Sequence, residues 1–243
     1  SKVEKGEKKG FLTKIMYLQP HTRGLLGNLC PNATKACSDS CLIANANFNY
    51  PLVQKGTFAK TWLFQLHPQY FLERMIMEVL QFSLECTMSE MQGAMRPNGT
   101  SDIKFYRYID FDLLHHDTGI QFYDYTKNPY DIRVPHPSAY SFTYSLSEHP
   151  GAWERALVWI QKGYSCAMVV AAHGNNTMKA AKAAQEQMVQ KGFFEVNGMR
   201  LPVVHGDDDD LRMLDNQGSL VVLYAKNKAL REESAFVQRV HLR

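Results

Sequence analysis

Cys166-Ala-Met-Val-Val-Ala171 is followed by an alanine-rich stretch, Thr177 to Lys191, then by Leu201-Pro-Val-Val204 and the polar run His205-Gly-Asp-Asp-Asp-Asp210. A short apolar run, a helix-length segment and a second short apolar run read as strand, helix, strand. Two strands joined in this way pair in parallel through a right-handed crossover. The same unit is found on moving outward along the chain. Toward the N-terminus, Gly93 to Arg96 leads into Pro97-Asn-Gly-Thr-Ser-Asp102. Ile120 to Tyr123 leads into Asp124-Tyr-Thr-Lys127, and Tyr140 to Tyr144 into Ser145-Leu-Ser-Glu148. A helix is predicted from Ala152 to Lys162, with Trp153, Ala156, Leu157 and Ile160 inward. Toward the C-terminus, Ser219 to Ala225 reads as the final strand.

Earlier still, Phe11 to Leu18 has strand composition and ends at Pro20. Between Pro68 and Met91, residues Phe71, Leu72, Met75, Ile76, Val79 and Leu80 form one face of a long helix, with Pro68 in its first turn. Five to seven such units predict a single α/β domain over residues 1–243, built as an open or incomplete (β/α) barrel with a cysteine-rich N-terminal loop. Residues 1–10 are expected to form a flexible leader. In such folds the active site lies at the carboxyl ends of the strands, and the unusual polar residues of this chain fall there.

Composition narrows the class. The 45% hydrophobic and 21% charged content is ordinary for a globular protein. No stretch approaches the roughly 20 apolar residues of a membrane span. The polar, lysine-rich opening carries no signal-peptide core, so no membrane partner and a cytoplasmic location are expected. A net charge of +3 is too small to argue for nucleic acid. The local basic patches, Lys2 to Lys14 and Arg231, Arg239 and Arg243, read first as solvated termini, with nucleic-acid binding the lesser alternative.

Three of the five cysteines, Cys30, Cys37 and Cys41, fall within twelve residues of a polar loop. Thiolates gathered in this way suit a soft metal or an iron–sulfur cluster better than a packed core. Three thiolates on a cubane cluster leave one iron free. A structural zinc, the alternative, needs a fourth ligand, for which His21, Cys86 or Cys166 are candidates.

Asn98, Ser101 and Asp102 bring three hydrogen-bonding groups around Gly99, as a binding loop or as a helix cap. Asp124 and Lys127 read as a substrate-binding or proton-transferring pair, or as a surface ion pair. Ser145 and Glu148 have the same ambiguity. The adjacent carboxylates from Asp207 to Asp210 repel one another unless a cation is near. Magnesium is one candidate cation, and Arg212 is a partner for Asp207 or for a substrate anion. His115, His116, His136, His149 and His173 show no ligand spacing and read as packing residues.

Taken together these motifs resemble the phage and mobile-element family called gene product 88, from about Lys5 to Val237. The matching stretches are Lys5 to Lys8, Cys30 to Ala33, Cys37 to Leu42, Asn98 to Asp102, Tyr123 to Lys127 and Gly206 to Arg212. The resemblance implies a phage origin and a host-cell location, and assigns no reaction. A more distant likeness is to radical S-adenosylmethionine enzymes, partial β/α barrels with three cysteines after the first strand. It departs in the cysteine spacing and in lacking Gly-Gly-Glu after the second strand. Three functions follow as expectations. The first is an iron–sulfur enzyme that takes S-adenosylmethionine at its open iron and acts on a nucleotide or nucleic acid. The second is a zinc-stapled interaction protein. The third is a divalent-metal nuclease using Asp102, Asp124, Asp207 and Asp210.

Overall fold

The computed structural model describes residues 2–44, 48, 50–128 and 136–242. The chain runs α1 (Lys2–Glu7), β1 (Phe11–Ile15), α2 (Lys35–Asp39), α3 (Pro51–Leu66), α4 (Pro68–Met88), β2 (Gln92–Arg96), α5 (Phe111–Thr118) and β3 (Gln121–Thr126). It continues through β4 (Tyr140–Ser145), α6 (Ala152–Gln161), β5 (Ser165–Ala172), α7 (Met178–Lys191), β6 (Phe193–Val196), β7 (Met199–His205), β8 (Leu220–Tyr224) and β9 (Val237–Val240).

The strand order is β1-β2-β3-β4-β5-β8-β7-β6. Every pairing is parallel except the β6–β7 hairpin. The outermost strands, β1 and β6, each pair on one side, so this is an open, mostly parallel α/β sheet in one domain rather than a closed barrel. Strand β5 is its hub. Its first half pairs with β4 at Ser165–Ala167 and its second half with β9 at Val169–Ala172, while β8 lies along the other edge. The unbroken apolar run of β5 is what a strand with neighbours on both edges and cover on both faces requires.

From β1 to β5 the strands step in one direction, and α4, α5 and α6 cover one face. Phe71, Val79 and Phe82 of α4, Phe111 of α5 and Trp159 of α6 join Met95, Phe122, Tyr144 and Met168 in the main core. The connection from β7 to β8 steps backwards, and a right-handed crossover of that kind must lie on the opposite face. Leu211 is found there, packed on Phe11, Ala94 and Tyr123.

Residues 2–7, expected as part of a flexible leader, form helix α1, and Gly6 sits against Thr13 and Leu211. The chain continues beyond the strand predicted as the last one, Ser219 to Ala225, into β9. Ser1 and Arg243 lie outside the described residues. Among the described residues no helix is long and apolar enough to cross a membrane.

Candidate functional site

The polar motifs singled out in the sequence lie at or just beyond the carboxyl ends of parallel strands: the cysteine loop after β1, Asn98 to Asp102 after β2, Lys127 after β3, Ser145 and Glu148 at and after β4, and Asp207 to Arg212 after β7; Asp124, expected in the loop with Lys127, lies instead within β3. The first four of these loops are stitched together. Asp102 donates its backbone N–H to Leu29 O at 2.9 Å, beside Cys30. Its carboxylate accepts the Lys127 backbone N–H at 3.0 Å. Glu148 reaches back to accept the Ala36 N–H at 3.0 Å, at the start of α2, where the Thr34 hydroxyl also caps Cys37. Cys37 therefore sits on a short helix pinned from β4.

Cys30, Cys37 and Cys41 are free thiols, each half-buried. Burial pushes the Cys30 thiol up to about 12, and Asp102, Cys41 and Cys37 add to that rise. Burial also raises Cys37, against the pull of Lys127, with Cys41, Glu148 and Asp102 acting in the same sense as burial. The three sulfurs thus share one electrostatic neighbourhood. Backbone N–H groups face two of them, from His21 toward Cys30 and from Ile43 and Leu42 toward Cys41. Such N–H groups favour thiolate over thiol. Among the described residues no three His, Cys, Asp or Glu side chains stand close enough together to hold a metal ion in this arrangement.

Lys127 is the cation of this neighbourhood. Its ammonium donates to Ser145 Oγ at 3.1 Å and Leu146 O at 3.0 Å, and lies 5.1 Å from the centre of the Phe236 ring. Burial lowers its pKa, while Cys37, Glu148, Asp102 and Cys166 hold it up. Of the three candidate fourth ligands, His21 presents its backbone N–H to Cys30, Cys166 is buried in β5 near Lys127, and Cys86 lies in the core of α4.

A second polar layer lies alongside. Asp124 is buried and accepts from Asn98 N at 2.9 Å, from Asn98 Nδ2 at 2.8 Å and from the Tyr140 hydroxyl. Ser101 donates to Asn98 Oδ1 at 2.8 Å, completing the loop. Arg96 stands 3.7 Å from Asp124 and 3.3 Å from Asp210, which the Tyr123 hydroxyl also approaches at 3.3 Å. One guanidinium is therefore shared by two buried carboxylates. Burial raises Asp124 to about 7 against the opposing effects of Arg96, Tyr140 and Asn98.

The acidic run does not converge on a cation. Asp207 accepts from Lys226 at 2.7 Å, Gln185 at 3.0 Å and the Tyr224 N–H at 3.1 Å. Asp208 is exposed and faces His205 at 3.3 Å, and Asp209 takes Lys9 and Arg212. Arg212 is buried between Asp209 and Asp215 at 3.1 and 2.8 Å. The carboxylates of this run thus meet protein donors on several different elements, with Arg96 shared between Asp210 and Asp124.

Arg96 and Arg23 are parts of the site that the sequence reading missed. Arg96, the last residue of β2 immediately before Pro97, was legible by position, since its side chain had to emerge at the same strand end as Asn98. Burial raises the Cys41 pKa, and Arg23, two residues after His21, opposes that rise.

No curated protein and no solved structure matches this chain, and the likeness to radical S-adenosylmethionine enzymes gains no support. The model of the family described as Gene product 88 matches residues 1–240. The chain belongs to that phage family.

Proposed function

We propose that this protein binds a metal centre through Cys30, Cys37 and Cys41, and that the centre would be an iron–sulfur cluster held beside Lys127 and Asp102. The observation carrying this reading is the common electrostatic neighbourhood of three half-buried free thiols, with backbone N–H groups aimed at two of them. A thiol raised toward 12 is protonated at neutral pH. A cation of charge two or more reverses that balance, because ligands deprotonate on binding it. Loading would therefore release protons and would require the thiols of Cys30, Cys37 and Cys41 to stand closer together than they do here. Three protein sulfurs leave a fourth position for an exchangeable ligand. Lys127 would orient an anionic group there and Asp102 would handle a proton, with Asn98, Ser101 and Asp124 bracing the loop beneath them. Ser145 and Glu148 hold Lys127 and α2 in place. The substrate class is a nucleotide or nucleic acid.

The test is substitution of each thiol. Cys30→Ser, Cys37→Ser and Cys41→Ser should each abolish stoichiometric metal loading, whereas Cys86→Ser should leave it intact. Undiminished loading in Cys37→Ser rules the reading out. One zinc per chain with no iron would select the zinc-stapled interaction protein instead.

A further inference from the structure

A groove of about 740 Å³ opens between α3 and the segments after β1, adjoining the cysteine loop at Arg23 and Ile43. Its wall carries Phe58 and Trp62, four residues apart on α3, with ring centres 5.1 Å apart. Both remain about two-fifths exposed, at 39% and 40%. Phe48 closes the far side, where it meets Tyr17 edge-on at 4.9 Å. Helix α3 buries Thr57 and Thr61 and packs Leu63 and Phe64 on the core near its end, while Phe58 and Trp62 stay exposed on its outer side. The threonines are held there by Gln19, whose N–H donates to Thr61 Oγ1 at 2.8 Å and whose side chain donates to Thr57 Oγ1 at 2.9 Å. This anchoring fixes which side of the helix points outward. Among the described residues, the charged side chains lining the groove are Arg23 and Lys55, with no carboxylate beside them.

We infer that this groove binds single-stranded nucleic acid, one base stacking on Trp62 and Phe58 while flanking phosphates meet Arg23 and Lys55. Aromatic platforms beside cations are the common means of holding unpaired bases. The volume lies within the range of pockets that enclose one ligand of nucleotide size. Among the described residues no thiol lines the groove, so the inference can be tested separately from the metal reading while naming where its nucleic-acid substrate would be held.

The test is a fluorescence-anisotropy titration with labelled oligo-dT of about 12 nucleotides, a length typical of one such site. We expect saturable binding that weakens about tenfold in Trp62→Ala. We also expect the slope of log affinity against log salt to fall by about 0.7 in each of Arg23→Gln and Lys55→Gln. Competition by thymidine monophosphate distinguishes the source of the base: efficient displacement means that a free nucleotide suffices, and weak displacement means that the strand is required. Retained affinity in Cys37→Ser separates this groove from the metal site. Absence of binding by both oligonucleotide and nucleotide overturns the inference, as does binding unchanged in all three groove variants. Because all three side chains are exposed, their loss leaves the core intact.

Discussion

Asp124 is the residue whose surroundings make the most direct demand on solution behaviour. Its ordinary pKa of 3.8 rises to about 7 on burial, because Arg96 must serve Asp210 as well and cannot fully offset desolvation. Between these two values the folded state holds a proton that the unfolded chain has released, so stability falls as pH rises from about 4 to about 7. Asp215, raised to about 6 by burial, acts in the same direction. We predict that the urea midpoint drops between pH 5 and pH 7.5, and that Asp124→Asn flattens part of that drop; an identical slope in both proteins would contradict the assignment. Gly99 makes a steric demand. A Cβ there would lie 2.7 Å from Met16 O and 2.6 Å from the Tyr17 ring. Gly99→Ala should therefore destabilise by about 1–3 kcal/mol in chemical denaturation. The need for a tight backbone at this strand end was legible in the sequence, but the reason, the neighbouring backbone leaving β1, is a tertiary contact that one segment cannot display.

Helix α2 is five residues long, too short to persist alone. It depends on Thr34 and on Glu148 from the β4 loop. Glu148→Ala is expected to weaken metal retention about 10- to 100-fold, as loss of a supporting contact behind a ligand does, with little change in the thermal midpoint; a chelator-competition titration reads this, and unchanged retention would assign Glu148 to surface structure alone. Helices α4, α6 and α7 were legible because their apolar positions repeat at helical spacing and face the sheet. Thr177, which accepts the Ala180 N–H at 3.2 Å, begins α7 where the pattern placed it. Helix α3 went unseen for the opposite reason. Its fully buried side chains are threonines and Leu52, Val53, Phe58, Trp62 and Leu66 are exposed, so the correspondence between apolar and inward is weak over Pro51–Leu66, although Leu63 and Phe64 pack on the core. Strand β9 was likewise hidden, because it is only four residues long and its place beside the second half of β5 is fixed by register rather than by composition.

Across the molecule, the N-terminus and the segment after β7 form one electrostatic unit. Lys5 donates to Asp207 O at 3.1 Å and Lys9 pairs with Asp209 at 2.5 Å, so α1 rests on the acidic run. Removal of residues 1–9 should lower the thermal midpoint by several degrees, since a change of about 1 kcal/mol corresponds to about 2–4 °C in a domain of this size; an unchanged midpoint would show that α1 adds nothing to the fold. The alternation of strands and helices announced an α/β sheet with polar loops at one end. The backward step of β8 and the dispersal of the four aspartates among Lys226, Lys9, Arg212 and Arg96 did not show in the sequence, because adjacency along the chain carries no information about which cation each carboxylate meets. The cysteines are close in sequence and Cys41 acts on both Cys30 and Cys37, which gives them one electrostatic neighbourhood, but among the described residues no three ligands stand close enough to hold a metal ion. Iron and acid-labile sulfide measured on anaerobically purified protein test that neighbourhood most directly. A brown protein with both elements in stoichiometric amount, lost in Cys37→Ser, is the predicted result, whereas a colourless chain that takes up neither iron nor zinc would contradict it.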